Sequence, residues 1–159
     1  MWSEMLTETP ISNTEIEERV AVLENLRGYL EKQRNKFHEY LNLLGKEESD
    51  ILTGDADKLL AHSEMEKEII REIYAFQKVI DPLEDMYRAA YPLGEKYIPK
   101  LRYSLMSLRE KVCERNEKNR ALLRDKMKEI REEIRTLRRP GGYRNQFNPP
   151  VPNLLDIVT

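Results

Sequence analysis

The chain has 159 residues, 40% of them hydrophobic and 35% charged. That apolar share is too large for a wholly disordered chain, and the charged share is high for a compact enzyme but ordinary for long helices that bury one stripe. The net charge of −2 hides a split: residues 1–101 hold 13 basic and 21 acidic residues, whereas residues 102–139 hold 13 basic and 7 acidic.

Residues 1–11 lack periodicity and include Pro10, which predicts a flexible arm. Ser12-Asn13-Thr14-Glu15 reads as a helix start. Ser12 with Glu15 fits a capping box, and Thr14 with Glu17 fits equally well, because either pair satisfies backbone N–H groups that a first turn leaves open. Ile16, Leu23, Leu30, Phe37 and Leu44 follow at heptad spacing, with Val20 and Leu41 on the same side and Leu26 and Tyr40 flanking. Such spacing turns one face towards a partner helix. A glycine inside a helix costs only about 1 kcal/mol, so the first helix is expected to pass Gly45 and run over about 14–52. Thr53-Gly54-Asp55 supplies the stop, with Gly54 left-handed and Asp55 capping the next helix.

The second helical region, about 55–90, carries Leu59, Leu60, Ile69, Ile70, Ile73, Phe76, Ile80 and Leu83. Asp81-Pro82-Leu83-Glu84 resembles a fresh helix start, so a break is expected at 81–82, either a kink or a new helix. Tyr91-Pro92-Leu93-Gly94 is a turn signal. The third helix, about 98–139, carries Leu101, Leu105, Leu108, Val112, Leu123, Ile130, Ile134 and Leu137, with Leu122 and Met127 beside them. Arg115, Asn116 and Asn119 fall where apolar residues would continue the seam; the two asparagines are candidates for fixing register or leaving a soft spot. Pro140-Gly141-Gly142 stops this helix. Residues 140–159 are expected to form a Pro-rich extended tail ending in an apolar cluster, in which Leu154, Leu155 and Ile157 are candidate docking residues.

Short connections favour antiparallel neighbours. The expected fold is therefore all-α: an elongated antiparallel three-helix bundle or coiled coil with a long last helix. At about 60 Å that helix outruns its partners, and an overhanging amphipathic face needs a dimer mate or a client to cover it.

Chemistry-bearing patterns are missing from the sequence. His38, His62 and Cys113 lie in three different predicted helices without metal-ligand spacing, so no metal, cofactor or catalytic residue is expected. Carboxylate pairs such as Glu47/Glu48 and Glu132/Glu133 read as solvated faces. The basic residues of the third helix interleave with acidic ones, which is the pattern of intrahelical ion pairing and not of a nucleic-acid footprint. No apolar stretch approaches the roughly 20 residues needed to cross a bilayer, so no membrane insertion is expected. The single cysteine and the polar first residues lead to an expectation of a cytoplasmic protein.

Three segments resemble the FlgN family of flagellar type III export chaperones. They are Thr53-Gly54-Asp55-Ala56-Asp57-Lys58-Leu59-Leu60, a helix with Glu64, Lys67 and Glu68, and Asn116-Glu117-Lys118-Asn119-Arg120-Ala121-Leu122-Leu123. The last matches the family's Asn-x-x-Asn-x-x-Leu-Leu pattern. The likeness covers most of residues 14–139; Pro82 and the tail stand outside it. It implies a non-enzymatic cytosolic chaperone. Its clients would be the C-terminal helices of hook–filament junction proteins, with export-gate components as further partners. Carried to this chain, the family's client surface implies Leu122, Leu123, Met127, Ile130, Ile134 and Leu137. The alternatives are a self-associating coiled-coil scaffold, including a homodimer, and a regulator of the export ATPase.

Overall fold

A computed structural model of the protein describes residues 10–138. The expected arm at 1–11 falls largely outside that range, and the tail with Leu154, Leu155 and Ile157 falls entirely outside it. Three helices make up the fold: α1 (Asn13–Thr53), α2 (Ala56–Ala90) and α3 (Tyr97–Leu137). Among the described residues there is no strand. The all-α helical bundle expected from the periodicity is the one observed.

Local chemistry sets the helix ends. Ser12 caps α1, its hydroxyl accepting from the Glu15 N–H at 3.2 Å. Gly54 takes the left-handed conformation (φ 75°) and closes α1 by donating to the Asp50 and Ile51 carbonyls. Asp55 at once caps α2 through the Lys58 N–H at 3.1 Å. At the other end Gly94 (φ 83°) turns the chain. Glu95 then accepts from the N–H groups of Tyr97 at 2.7 Å and Ile98 at 2.8 Å, so one carboxylate occupies two of the donors that open α3.

No new helix starts at 81–82: α2 is a single helix with Pro82 inside it. Asp81 caps nothing; its carboxylate accepts from the Gln77 side chain at 2.7 Å. The reason lies in the seam. Phe76, Ile80, Leu83 and Tyr87 keep alternating steps of four and three residues straight through Pro82, and all four face the core. Pro82 itself is exposed. A proline costs an interior helix about 3 kcal/mol, and burial of several large side chains on either side offsets that.

The bundle runs up, down and up. Gln33 meets Gln77 and Lys36 meets Glu72, so α2 descends along α1. Tyr97 reaches Glu31 and Asn119 reaches Leu44, so α3 runs parallel to α1. α1 is the spine, packed on both neighbours, while no Cα of α2 comes within 8 Å of α3. Those two touch through long side chains near their turn, where Arg102 pairs with Glu84 at 3.0 Å.

The core is a seam of alternating three- and four-residue steps. In α1 it comprises Leu23, Leu26, Leu30, Gln33, Phe37, Tyr40, Leu44, Glu47 and Ile51. Leu26, Leu30, Ile80, Tyr87, Ile98, Leu101 and Leu105 form the larger apolar cluster, beside the α2–α3 turn. Tyr40, Leu44 and Val112 form a smaller one further along. Ile16 and Val20, which continue the α1 stripe in sequence, stay largely exposed because α3 has not yet begun at their level.

Candidate functional site: the uncovered end of the last helix

α3 residues lie beside α1 residues about 70 positions earlier, as the contacts of Tyr97 with Glu31 and of Arg115 and Lys118 with Glu48 record. α1 ends at Thr53, so residues 124–137 of α3 continue past it. At 1.5 Å per residue that is an overhang of about 20 Å. Every described residue from Met127 onwards is exposed.

The overhang carries the apolar strip. Leu122 is half-buried where α1 ends. Leu123, Met127, Ile130, Ile134 and Leu137 are exposed, from 40% at Leu123 to 80% at Leu137. Their steps of four, three, four and three residues put them on one helix face. That face continues from Asn119, so it is the face by which α3 holds α1 lower down. Among the described residues nothing covers it.

Asn116 and Asn119, paired in the sequence reading, part company. Asn116 is half-buried at the edge. Asn119 is 1% exposed and occupies a seam position. Its Nδ2 donates to the Leu44 carbonyl oxygen at 2.8 Å, while its Oδ1 is buried without a hydrogen-bond partner. This one polar contact ties α3 to α1 at a fixed level, as a polar seam residue does when it sets register.

Sequence reasoning missed the polar layer beside it. Glu47 is not a solvated carboxylate: it sits half-buried in the α1 seam, as Glu66 does in the α2 seam. Burial, and then the hydrogen bond and charge of Glu47, push the Glu66 carboxyl up to about 8. The Glu66 carboxyl therefore keeps its proton near neutral pH. Burial pushes the Tyr40 hydroxyl up to about 12, with the Glu66 and Glu47 charges adding to it. His62, also in the α2 seam, pairs with Asp50 across to α1. The signal that finds Glu47 and Glu66 is the three–four step count itself, extended through polar residues. Cys113 is exposed.

No arrangement for bond chemistry emerges from these residues. No group of three or more His, Cys, Asp or Glu among the described residues is placed to hold a metal ion. The depression lined by Met106, Arg109, Cys113 and their neighbours is an open surface feature. No helix among the described residues is long and apolar enough to cross a membrane.

No family model matches the chain, and no solved structure does. A protein of Treponema pallidum (strain Nichols), described as uncharacterized, is 33% identical over 132 residues, covering 83% of this chain and 85% of that protein. The chain belongs to the same family as that protein. A match of that length takes in part of each of the three helices.

Proposed function

We propose that the protein is a binding protein of the export-chaperone kind, which holds an amphipathic helix of a client against the strip Leu123–Met127–Ile130–Ile134–Leu137. The observation that carries this reading is the strip itself: five large apolar side chains on one face, at the end of a helix that has outrun its own bundle. A soluble chain gains nothing in stability from such a face unless something covers it. A client helix laid along it contributes about 25 cal/mol for each Å² of apolar surface removed from water. The basic residues at its rim, among them Arg124, Arg131 and Arg135, favour an acidic client and speed encounter.

The resemblance to the FlgN family supplies the specific version. In it the clients are C-terminal helices of hook–filament junction proteins, kept unassembled in the cytoplasm and delivered to the type III export gate. No nucleotide or metal takes part. The test is co-purification with such proteins, followed by calorimetric titration of a client with wild-type protein and with Leu123→Glu combined with Ile130→Glu. The double variant is expected to lose client binding while circular dichroism stays unchanged. Binding that survives it places the client surface elsewhere.

A further inference from the structure

The overhang of α3 has a counterpart at the opposite end of the molecule. Arg27 and Glu31 of α1 meet Tyr97, the first residue of α3, and Leu26 already packs in the core with Ile98, so residues 13–20 of α1 lie before α3. This stretch is exposed apart from half-buried Arg19 and is about 12 Å long, shorter than the overhang. Ile16 and Val20 lie eleven and seven positions before Arg27, on the side of α1 that α3 occupies further along, and both are more than 40% exposed. One end of the molecule thus presents the α3-binding face of α1 without an α3. The other presents the α1-binding face of α3 without an α1.

We infer that these two ends fit each other in trans: the overhang of α3 from one copy docks beside the first turns of α1 of a second copy, and the chain self-associates head to tail. Each half of the contact reuses a packing already present within the molecule, parallel α1 against α3. Charge agrees with the pairing. Residues 13–26 hold four acidic residues and one basic, a net of −3, whereas residues 124–138 hold six basic and four acidic, a net of +2. The competing arrangement, two α3 overhangs against each other, brings two positive ends together and leaves the α1 face bare. Because the two patches differ, the contact is heterologous and leaves a free patch at each end of every assembly, so growth does not stop at a dimer. The inference needs no client. If both readings hold, a second copy and a client compete for the same strip.

The test is sedimentation of the full chain from micromolar to millimolar concentration, with two variants. Ile16→Lys with Val20→Lys spoils only the α1 end; Ile130→Glu with Ile134→Glu spoils only the α3 end. All four positions are exposed, and unchanged thermal unfolding verifies the fold of each variant. The expected result is a wild-type mass that climbs past that of a dimer, two variants that are monomeric alone, and a one-to-one heterodimer when they are mixed. A wild-type chain that stays monomeric overturns the inference, as does an α1-end variant that self-associates like wild type. Failure to recombine in the mixture does the same. The α1-end variant leaves the client strip intact, so its binding of a client reports on the chaperone reading separately.

Discussion

The half of the bundle beside the α2–α3 turn and the half beside Gly54 use the same three–four spacing but fill it differently. Near the turn the seam is apolar in all three helices, with Leu26, Ile80 and Ile98 almost wholly removed from water. Near Gly54 it holds Glu47, His62, Glu66 and Asn119. Non-directional burial anchors the first half; paired polar groups, each of which needs its partner, align the second. The exposed apolar strip of α3 emerges from the second half. An apolar anchor at one end and a less apolar support under the proposed binding surface is the division of labour this contrast suggests.

The most direct way to break the contrast is to cut into the apolar half. Leu26→Ala is expected to cost about 2–5 kcal/mol, the range for a fully buried leucine whose surroundings relax only in part. Thermal or urea unfolding reads this out. A loss below about 1 kcal/mol would mean that the apolar half is not the anchor.

Glu66→Gln addresses the polar half next. The Glu66 carboxyl titrates near 8 in the folded protein, well above the ordinary carboxyl value of 4.5, because burial and Glu47 disfavour its charge. Between those two pH values the folded state therefore binds more protons than the unfolded state. The contribution of this group to stability is full below 4.5 and is lost as pH rises through 8. Wild-type melting temperature should fall across that window, and the glutamine variant, which keeps the neutral form, should fall less and be the more stable of the two above pH 8. Parallel pH profiles for the two proteins would sink the account of a protonated Glu66.

Asn119→Leu is expected to act more gently. It removes one hydrogen bond to the Leu44 carbonyl, and with it an unpartnered buried Oδ1. Replacing a half-satisfied buried polar group by an apolar one of similar volume is neutral or stabilising by up to about 1 kcal/mol. What the variant should lose is register: if Asn119 sets the level of α3 on α1, cross-links placed between the two helices will trap more than one alignment.

How much of this was legible beforehand follows from which forces act locally. Ser12, Gly54 and Asp55 act within one turn of chain, and they mark the helix ends from sequence alone. The passage of α1 through Gly45 was also readable, since a small local penalty stood against a continuing stripe. At Pro82 the sequence suggests a new helix that the structure does not start, because the local cost is conspicuous while the burial that outweighs it is spread over α1 and α3. Glu47 was misread for the same reason: beside Glu48 it resembles a solvated pair, and only Glu66, nineteen positions on in another helix, makes it a seam residue. The strip from Leu123 to Leu137 was legible as an apolar face. That it is uncovered depends on where α1 stops relative to α3, a relation between helices that no single stripe encodes.

The smallest stability effect should come from that strip, and its smallness is informative. Ile134→Ala and Leu137→Ala remove side chains that touch little else in the described structure, so each should shift unfolding by less than about 0.5 kcal/mol. The same region should open most readily. An overhang without tertiary partners is held by its own backbone bonds alone, and isolated helical turns are marginal in water. Amide exchange in dilute protein should therefore be fast over residues 124–137 and slow, near the global limit, over residues 98–112, which carry the seam residues Ile98, Leu101, Leu105, Leu108 and Val112. Adding whatever covers the strip, client or second copy, should slow exchange in 124–137 first. Strong protection there in dilute, client-free protein would show that the strip is already covered within one chain, and both proposals for its occupant would lose their basis.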